Sequence, residues 1–355
     1  MEAETKIDWM EVWDVDKLIT DKFLKPTLES IVRVQEHNGS VPELEGGTVE
    51  PWTHIECAMA IDAGNYHEEA QKAYEWLAGI QLNDGSWYAT YRDGKPKDTY
   101  KVSHAISYIA VGVWHHYLVT GNGLFVKEMW PCVRKAIDYV LDMRGPNGEI
   151  YWARDNKGVL YPSAQITSCS STFLSIKNAL NIAAMVGEER NDWCEANEIL
   201  RKAILNMPLP YADDVPNGNN YAFAMDWYYP ALCSVINGKE AINRIYDSWD
   251  KFIVHGFGSV CNLEKQWVTI AETSELAISL AVHGEYNQSA MLYSWIQRMR
   301  DEDGAYWYGF AVPEREIWPQ QKPTWTSAAV VLAANMLRPM SPTSLLLDHH
   351  GSPLP

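Results

Sequence analysis

The sequence predicts an all-α protein whose helices form an (α/α)6 barrel, a ring of inner helices inside a ring of outer ones. Apolar residues recur at helical spacing along most of the chain, which gives about twelve helical segments and almost no alternating strand pattern. Short joints that carry a glycine alternate with loops of about fifteen residues or more. Helix pairs joined in this way close naturally into one double ring.

The predicted helices are arranged as hairpins along the chain. Their expected bounds are residues 16–35, 51–64, 66–81, 99–120, 124–144, 168–187, 189–206, 225–237, 239–254, 270–283, 285–300 and 324–338. The short joints contain Gly64, Gly121, Gly187, Gly238 and Gly284, where a left-handed cap can end a helix. Even-numbered helices carry fewer charges and are the predicted inner ring, while odd-numbered helices are amphipathic. We therefore expect one domain over residues 1–340 and an extended or disordered tail over residues 341–355.

The long loops define the predicted active face, because each of them precedes an inner helix. They span residues 36–50, 82–98, 145–167, 207–224, 255–269 and 301–323. Long ordered loops in compact domains usually carry function. Half of the 16 tryptophans fall on this face, namely Trp52, Trp87, Trp152, Trp227, Trp267, Trp307, Trp318 and Trp325.

The segment QLNDGSWY at residues 81–88 has the form of a repeat found in terpenoid cyclases. Degenerate versions occur at residues 34–41, 143–152 and 299–307. Each of them stands where a predicted outer helix turns into a long loop. The repeat is therefore interpreted as a feature of the architecture rather than as a catalytic motif.

Composition restricts the possible partners. A net charge of −17 argues against nucleic acid and anionic membranes, which both require a basic surface. The acidic N-terminus and the lack of an apolar run of about 20 residues predict a cytoplasmic protein. Six scattered cysteines predict reduced thiols, and neither a metal nor a cofactor is expected. An excess of Trp and Tyr over Phe favours a sugar ligand, either a small saccharide or an oligosaccharide.

A pocket walled by aromatic rings and carboxylates suits saccharide binding and acid–base hydrolysis. The candidate acids are Asp155 and Asp226, and the candidate bases are Glu272 and Glu316. The predicted substrate-binding residues, which lie at inner-helix starts or in the preceding loops, are Trp52, His54, Glu56, Trp87, Asp98, Lys101, His104, Trp152, Arg154, Trp227, Tyr228, Trp267, Trp307 and Trp325. The tryptophans would be sugar platforms, whereas His54, Lys101 and Arg154 would bind hydroxyls or a substrate carboxylate.

Several of these residues also have a structural interpretation. A carboxylate at a helix start, as at Asp98, Asp226 and Glu272, is favoured by capping and by the helix dipole alone. A buried histidine such as His54 or His104 can serve only to satisfy backbone groups. Co-location on one face is what favours the functional interpretation.

Over most of its length the chain resembles the six-hairpin glycosidases, particularly the glucoamylase-like ones. The resemblance is carried by PWTHIECAMAIDAGNYHEEAQKAYEWLAGIQLNDGSWYATYRDG, by VWHHYLVTGNGLFVKEMWPCVRKAIDYVLDMRGPNGEIYW and by PTWTSAAVVLAANML. It implies the barrel fold and an inverting glycoside hydrolase, whose two carboxyl groups stand roughly 6.5–9.5 Å apart. The chain departs from glucoamylases after Trp152, where Ala153 and Arg154 replace an acidic pair, and after Trp52, where Thr53 and His54 replace Arg-Asp.

Other classes stay open at this level. Terpenoid cyclases and prenyltransferases share the toroid and the Gln-to-Trp repeat, but the paired aspartates Asp213 and Asp214 here lie in a turn and not in a DxDD motif. A saccharide-binding barrel without catalysis is compatible with Ala153. A lyase or epimerase could use His54, His104 or Tyr229 as its base. The predicted function is a glycoside hydrolase.

Overall fold

The computed structural model describes residues 14–209, 223–338 and 341–347, and these ranges are rich in helix. The helices are α1 Val15–Leu18, α2 Asp21–Val34, α3 Pro51–Ala63, α4 His67–Gly79, α5 Ser103–Ser107, α6 Ile109–Thr120, α7 Gly123–Leu141, α8 Ile166–Val186, α9 Asn191–Leu205, α10 Ala224–Leu232, α11 Gly238–Asp247, α12 Trp249–Phe252, α13 Ile270–Val282, α14 Tyr286–Ile296, α15 Thr324–Met336 and α16 Pro342–Leu346.

Six helical segments contact one another in a closed ring. Helix α3 contacts α5 and α6, which contact α8; the contacts continue through α10, α13 and α15, and α15 returns to α3. We call these segments the ring helices. Helices α2, α4, α7, α9, α11 and α14 each pack against one or more of the ring helices, and their own apolar faces are buried there.

The loops that precede the ring helices carry short antiparallel strands. The strands are β1 Thr90–Arg92, β2 Lys95–Asp98, β3 Lys101–Val102, β4 Ala153–Arg154, β5 Leu160–Tyr161, β6 Ile253–Val254, β7 Gly258–Asn262, β8 Lys265–Thr269, β9 Gly309–Ala311 and β10 Glu316–Ile317. They form a hairpin, a three-stranded sheet β3-β4-β5 and a five-stranded sheet β10-β9-β8-β7-β6. Strands this short give little alternating pattern, which is why the sequence predicted almost none.

The predicted helices are present, with three informative differences from the expected bounds. The segment predicted over residues 99–120 begins only at Ser103 and is interrupted at Tyr108. The helix predicted over residues 239–254 ends at Asp247, and the rest of that segment forms α12 and β6. Residues 342–346, expected to be extended or disordered, form α16, which packs on α6 and α15 with Leu346 buried. Asp213, Asp214, His349 and His350 lie outside the described residues.

The repeat around residues 81–88 fastens an outer helix to the next one. Gln81 Nε2 donates to the carbonyl oxygen of Gly85 at 3.0 Å and to that of Cys132 in α7 at 2.9 Å. Gln35, in the first degenerate copy, makes the equivalent pair of bonds. Gly85 has a φ of +92°, and a Cβ there would lie 2.3 Å from the Lys135 carbonyl oxygen. The interpretation of this repeat as architecture is confirmed.

Across the described ranges, no helix combines the length and the hydropathy that crossing a bilayer would require.

Candidate active site

Six side chains form one layer near the N-terminal ends of the ring helices. Each is the sixth residue counted from the start of its ring segment, with Tyr108 counted from Ser103, and together they line a cavity on the ring axis: Glu56, Tyr108, Ser171, Tyr229, Glu275 and Ala329. Equal numbers of helical residues advance equally along the axis, so these side chains lie at a similar depth. We call them the carboxylate layer.

Glu275 is held by two tyrosines of α10. The Tyr229 hydroxyl donates to Glu275 Oε1 at 2.8 Å, and the Tyr228 hydroxyl donates to Glu275 Oε2. Burial raises the pKa of Glu275 to about 7, and the two hydroxyls act in the opposite direction because they stabilise the anion. Both carboxylate oxygens are therefore fixed in position.

Glu56 lies in the same layer on α3 and is only 9% exposed. Burial raises the pKa of Glu56 well above its ordinary value, and the nearby charge of Glu275 raises it further. The side chain of Trp52, one turn above on α3, contacts Glu56 and partly offsets this shift. The Trp52 ring also meets Tyr108 and Tyr229 edge to face, at centroid distances of 5.7 and 6.1 Å. Glu56 therefore holds its proton more tightly than an exposed carboxyl group does, and it lies beneath an aromatic wall.

Glu272 lies in the first turn of α13, three residues before Glu275. Residues at this spacing share one face of a helix. Glu272 is 9% exposed, and its Oε2 is buried without a hydrogen-bond partner among the described residues. The position favours a negative charge because the N-terminus of a helix carries a partial positive charge. Glu272 therefore offers one side-chain oxygen to a water or a ligand.

An aromatic cluster stands beside Glu272 at the starts of α13 and α15. The Tyr308 ring packs against Trp267 and Trp325 at centroid distances of 5.0 and 4.9 Å. The charge of Glu272 is among the causes that raise the pKa of Tyr308, after burial, so the two groups are close. Flat apolar faces with polar edges next to a carboxylate suit a sugar ring.

Other predicted residues join the same end of the ring. The His104 ring meets Trp52 edge to face at 4.5 Å, and burial lowers the pKa of His104 to about 3. Trp152 packs with Trp52 around a small apolar cluster and against Tyr161. Trp52, Glu56, His104, Trp152, Tyr228, Trp267, Glu272 and Trp325 are thus brought together from the sequence-predicted set.

Asp226, a predicted acid, connects two ring helices. Its Oδ1 accepts from the backbone N–H of Thr167 at 3.0 Å and from the Thr167 hydroxyl at 2.8 Å. Thr167 belongs to the first turn of α8, so Asp226 caps that helix from α10.

Three predicted acidic residues lie on the hairpins. Asp155 is in the turn between β4 and β5, where its Oδ1 accepts from the N–H groups of Lys157 and Val159, both at 2.8 Å. Asp98 accepts from the Thr90 hydroxyl within the β1–β2 hairpin. Glu316 is exposed on β10. The structure does not bring these carboxylates to the carboxylate layer.

Four predicted residues are engaged in packing. His54 is fully buried, and its two ring nitrogens contact the Val41 N–H at 3.1 Å and the Ala73 carbonyl at 2.9 Å, which leaves neither nitrogen for a ligand. Trp87 donates to the Leu77 carbonyl at 2.7 Å, and Trp227 stacks on Phe252. Trp307 lies below the ammonium group of Lys322 in a cleft beside α2.

The predicted basic residues are ion-paired on the rim. Lys101 bonds to Asp84 at 2.5 Å, and Arg154 bonds to Asp142 at 2.8 Å. Both cations also lie over the Tyr139 ring. In the described part of the chain, no group of three or more His, Cys, Asp or Glu side chains could hold a metal ion.

The sequence interpretation missed Glu275 and Tyr108, and it considered Tyr229 only as a packing residue or as the base of a lyase or epimerase. A signal for Glu275 was present, because Glu272-Thr-Ser-Glu275 places two acids on one helix face.

Comparison with known proteins identifies the class. No protein-family model matches the chain. The chain is 38% identical, over 92% of its length and 89% of the relative's, to the MMP endo-(1,4)-3-O-methyl-alpha-D-mannosidase of Mycolicibacterium hassiacum. A glycosidase solved in complex with glucose shares the fold, with a TM-score of 0.71 at 15% identity over 92% of this chain and 99% of that one. A D-mannose isomerase also shares the fold, with a TM-score of 0.66 at 10% identity over 90% and 98% of the two chains.

The fold alone is therefore compatible with more than one chemistry, and the sequence relationship decides between them. Together with the buried carboxylates, it defines a glycoside hydrolase. More narrowly, the chain belongs to the family of the M. hassiacum endo-mannosidase. None of these comparisons supports the terpenoid-cyclase alternative.

Proposed function

We propose that the chain is an endo-acting α-mannosidase, which cleaves α-(1,4) linkages between 3-O-methylated mannose residues with inversion. The substrate class is supported by the activity for which the M. hassiacum relative is named, and that relative aligns with nearly the whole chain. The arrangement of the carboxylates in the ring supports the chemistry. We further propose that residues 1–340 form one (α/α)6 barrel, which the closed contacts of the ring helices support.

Glu56 is the proposed general acid. A carboxyl group must hold its proton at neutral pH to donate it to a leaving oxygen, and burial beside Glu275 raises the pKa of Glu56 in this sense. As the bond from C1 to the glycosidic oxygen breaks, that oxygen takes the proton of Glu56. The leaving sugar thereby acquires its free hydroxyl.

Glu272 is the proposed general base. Its buried Oε2 has no partner among the described residues and can accept a proton from a water. As the water oxygen bonds to C1 from the opposite face, Glu272 takes one water proton, and the product is the inverted hemiacetal. The unpartnered Oε2 of Glu272 is the observation that carries the proposal.

Glu275 is the proposed positioning residue. It touches neither reacting oxygen in this scheme, and the negative charge of its ionised form disfavours ionisation of Glu56. Trp52 and the cluster of Trp267, Tyr308 and Trp325 are proposed to bind the sugar faces on either side.

The test uses a synthetic α-(1,4)-linked oligosaccharide of 3-O-methylmannose. We expect internal cleavage products by mass spectrometry and a β-hemiacetal as the first product by proton NMR. Glu272→Gln should abolish both signals without loss of folded protein. A first product of α configuration would rule out inversion, and absence of cleavage by the wild-type protein would rule out the substrate.

A further inference from the structure

Below the carboxylate layer, the ring axis is apolar. Three residues further along each ring segment, a second layer lines the same cavity: Met59, Val111, Leu174, Leu232, Ile278 and Leu332. Leu346 of α16 and the next residue, Leu347, close the far end. The cavity has a volume of about 50 Å³, whereas a water molecule needs roughly 10–15 Å³. A methyl group is about the size of a water molecule, so this space can hold one.

The carboxylate layer is least filled at two of its six positions. Four of its six members are large side chains, and the other two, Ser171 and Ala329, are small. Ser171 belongs to α8 and Ala329 to α15, which stand opposite each other in a ring of six. A slot therefore crosses the layer between them, with Glu56 and Tyr108 on one side and Tyr229 and Glu275 on the other.

One polar group in the slot lacks a partner. The Ser171 hydroxyl is fully buried, and its Oγ makes no hydrogen bond within the described part of the chain. A buried hydroxyl without a partner is costly, and such groups are commonly satisfied by a ligand or a water. The slot thus combines a free donor at its mouth with apolar walls beneath.

We propose that this slot binds the O-methyl substituent of the sugar next to the scissile bond. The ether oxygen accepts a hydrogen bond from Ser171 Oγ, and the methyl group enters the apolar cavity between Leu174, Ile278 and Leu332. A free hydroxyl in the same place would direct its O–H at apolar walls that offer no acceptor and would leave the cavity unfilled, because apolar cavities of this kind stay dry. The slot thereby selects the methylated sugar. This inference rests on the proposed function.

The test compares two matched synthetic oligosaccharides, one 3-O-methylated and one unmethylated. Ala329→Val narrows the slot, and we expect the ratio of kcat/KM for the methylated substrate to kcat/KM for the unmethylated one to fall by tenfold or more. Ser171→Ala should lower kcat/KM for the methylated substrate by roughly fivefold to tenfold. Ser170→Ala is the matched control, since the Ser170 hydroxyl is also buried and unpartnered but does not line the cavity.

The outcomes separate the two proposals. If the wild-type protein cleaves neither substrate, the proposed function fails. If it cleaves both, and Ala329→Val or Ser171→Ala changes kcat/KM equally for the two substrates, the slot does not recognise the methyl group and the inference is overturned. Thermal melting shows whether Ala329→Val folds. If it does not, the test is the ratio of kcat/KM for the methylated substrate to kcat/KM for the unmethylated one, compared between Ser171→Ala and Ser170→Ala.

Discussion

The Tyr229 hydroxyl donates a 2.8 Å hydrogen bond to Glu275 Oε1, and the sequence neighbour of Tyr229 occupies the other carboxylate oxygen. Two adjacent residues of α10 thus stabilise the ionised form of an acid of α13. Glu275 and Glu56 influence each other's ionisation, so their protons belong to the pair. Because the tyrosines stabilise the anion of Glu275, they favour protonation of Glu56 over protonation of Glu275. Glu56 is the group proposed to donate the proton.

Tyr229→Phe should therefore move the pH optimum of kcat to lower pH. Without this donor the pKa of Glu275 rises, so Glu275 competes with Glu56 for the shared proton. Activity should fall at neutral pH and recover on the acid side, where both groups are protonated. The pH profile of kcat measures this, with Tyr246→Phe as a control, because Tyr246 donates to Glu285 on the surface. A uniform loss at every pH would mean that Tyr229 acts only in packing.

The two proposed catalytic carboxylates should differ sharply from the acids on the hairpins. Glu56→Gln and Glu272→Gln remove the acid and the base, and each should lower kcat by about 10²–10⁴-fold. Asp155→Asn and Glu316→Gln should retain activity within about threefold, since these side chains lie on hairpins away from the carboxylate layer. Initial rates at saturating substrate test both pairs. A large loss of kcat in Asp155→Asn would instead support Asp155 as the catalytic acid, the role that the sequence suggested.

The helices could be predicted because their apolar periodicity and glycine joints are local signals. Residues 51–64 and 270–283, for example, were expected to be helical, and the structure has Pro51–Ala63 and Ile270–Val282. The hairpins were missed because two-residue strands such as β4 have no pattern of their own. Their pairing depends on residues distant in the chain, as between Lys101 and Arg154.

The site was harder to predict because the ring helices are buried on most sides. Apolar residues on every face of a helix do not indicate which of its side chains points to the axis. Glu272 could be chosen because it stands at a helix start, whereas Glu275 required the depth of each helix to be known. Asp155 was chosen for its position after Trp152, but the backbone turns there and uses its carboxylate.

Glu50 should make stability depend on pH. It caps α3 by accepting from the Thr53 N–H at 2.9 Å, and burial raises its pKa to about 7, above the ordinary 4.5. Between pH 4.5 and about 7, the folded state therefore binds more protons than the unfolded state. The free energy of unfolding is highest below pH 4.5 and falls as the pH rises to about 7.

Glu50→Gln keeps an acceptor at the cap and removes this loss. We expect its free energy of unfolding to match that of the wild type near pH 4.5 and to exceed it at pH 8 by up to about 3 kcal/mol. Urea unfolding at both pH values measures the difference. Glu68→Gln, at an exposed position in the first turn of α4, should show no such pH dependence. Equal stabilities at pH 8 would mean that Glu50 titrates as an ordinary carboxyl group.

The joint at residues 81–88 should contribute to stability and not to catalysis. Gln81→Leu leaves the Gly85 and Cys132 carbonyls without their donor and should cost about 1–3 kcal/mol. Gly85→Ala should cost more, because the added Cβ would lie 2.3 Å from the Lys135 carbonyl oxygen.

Gly94→Ala is the matched control. Gly94 also has a positive φ, but nothing lies within 4 Å of an added Cβ, so only the backbone strain of roughly 1–2 kcal/mol remains. Chemical denaturation ranks the three variants, and kcat per folded molecule should be unchanged in each. Loss of kcat in a fully folded Gln81→Leu protein would instead give this segment a direct part in the reaction.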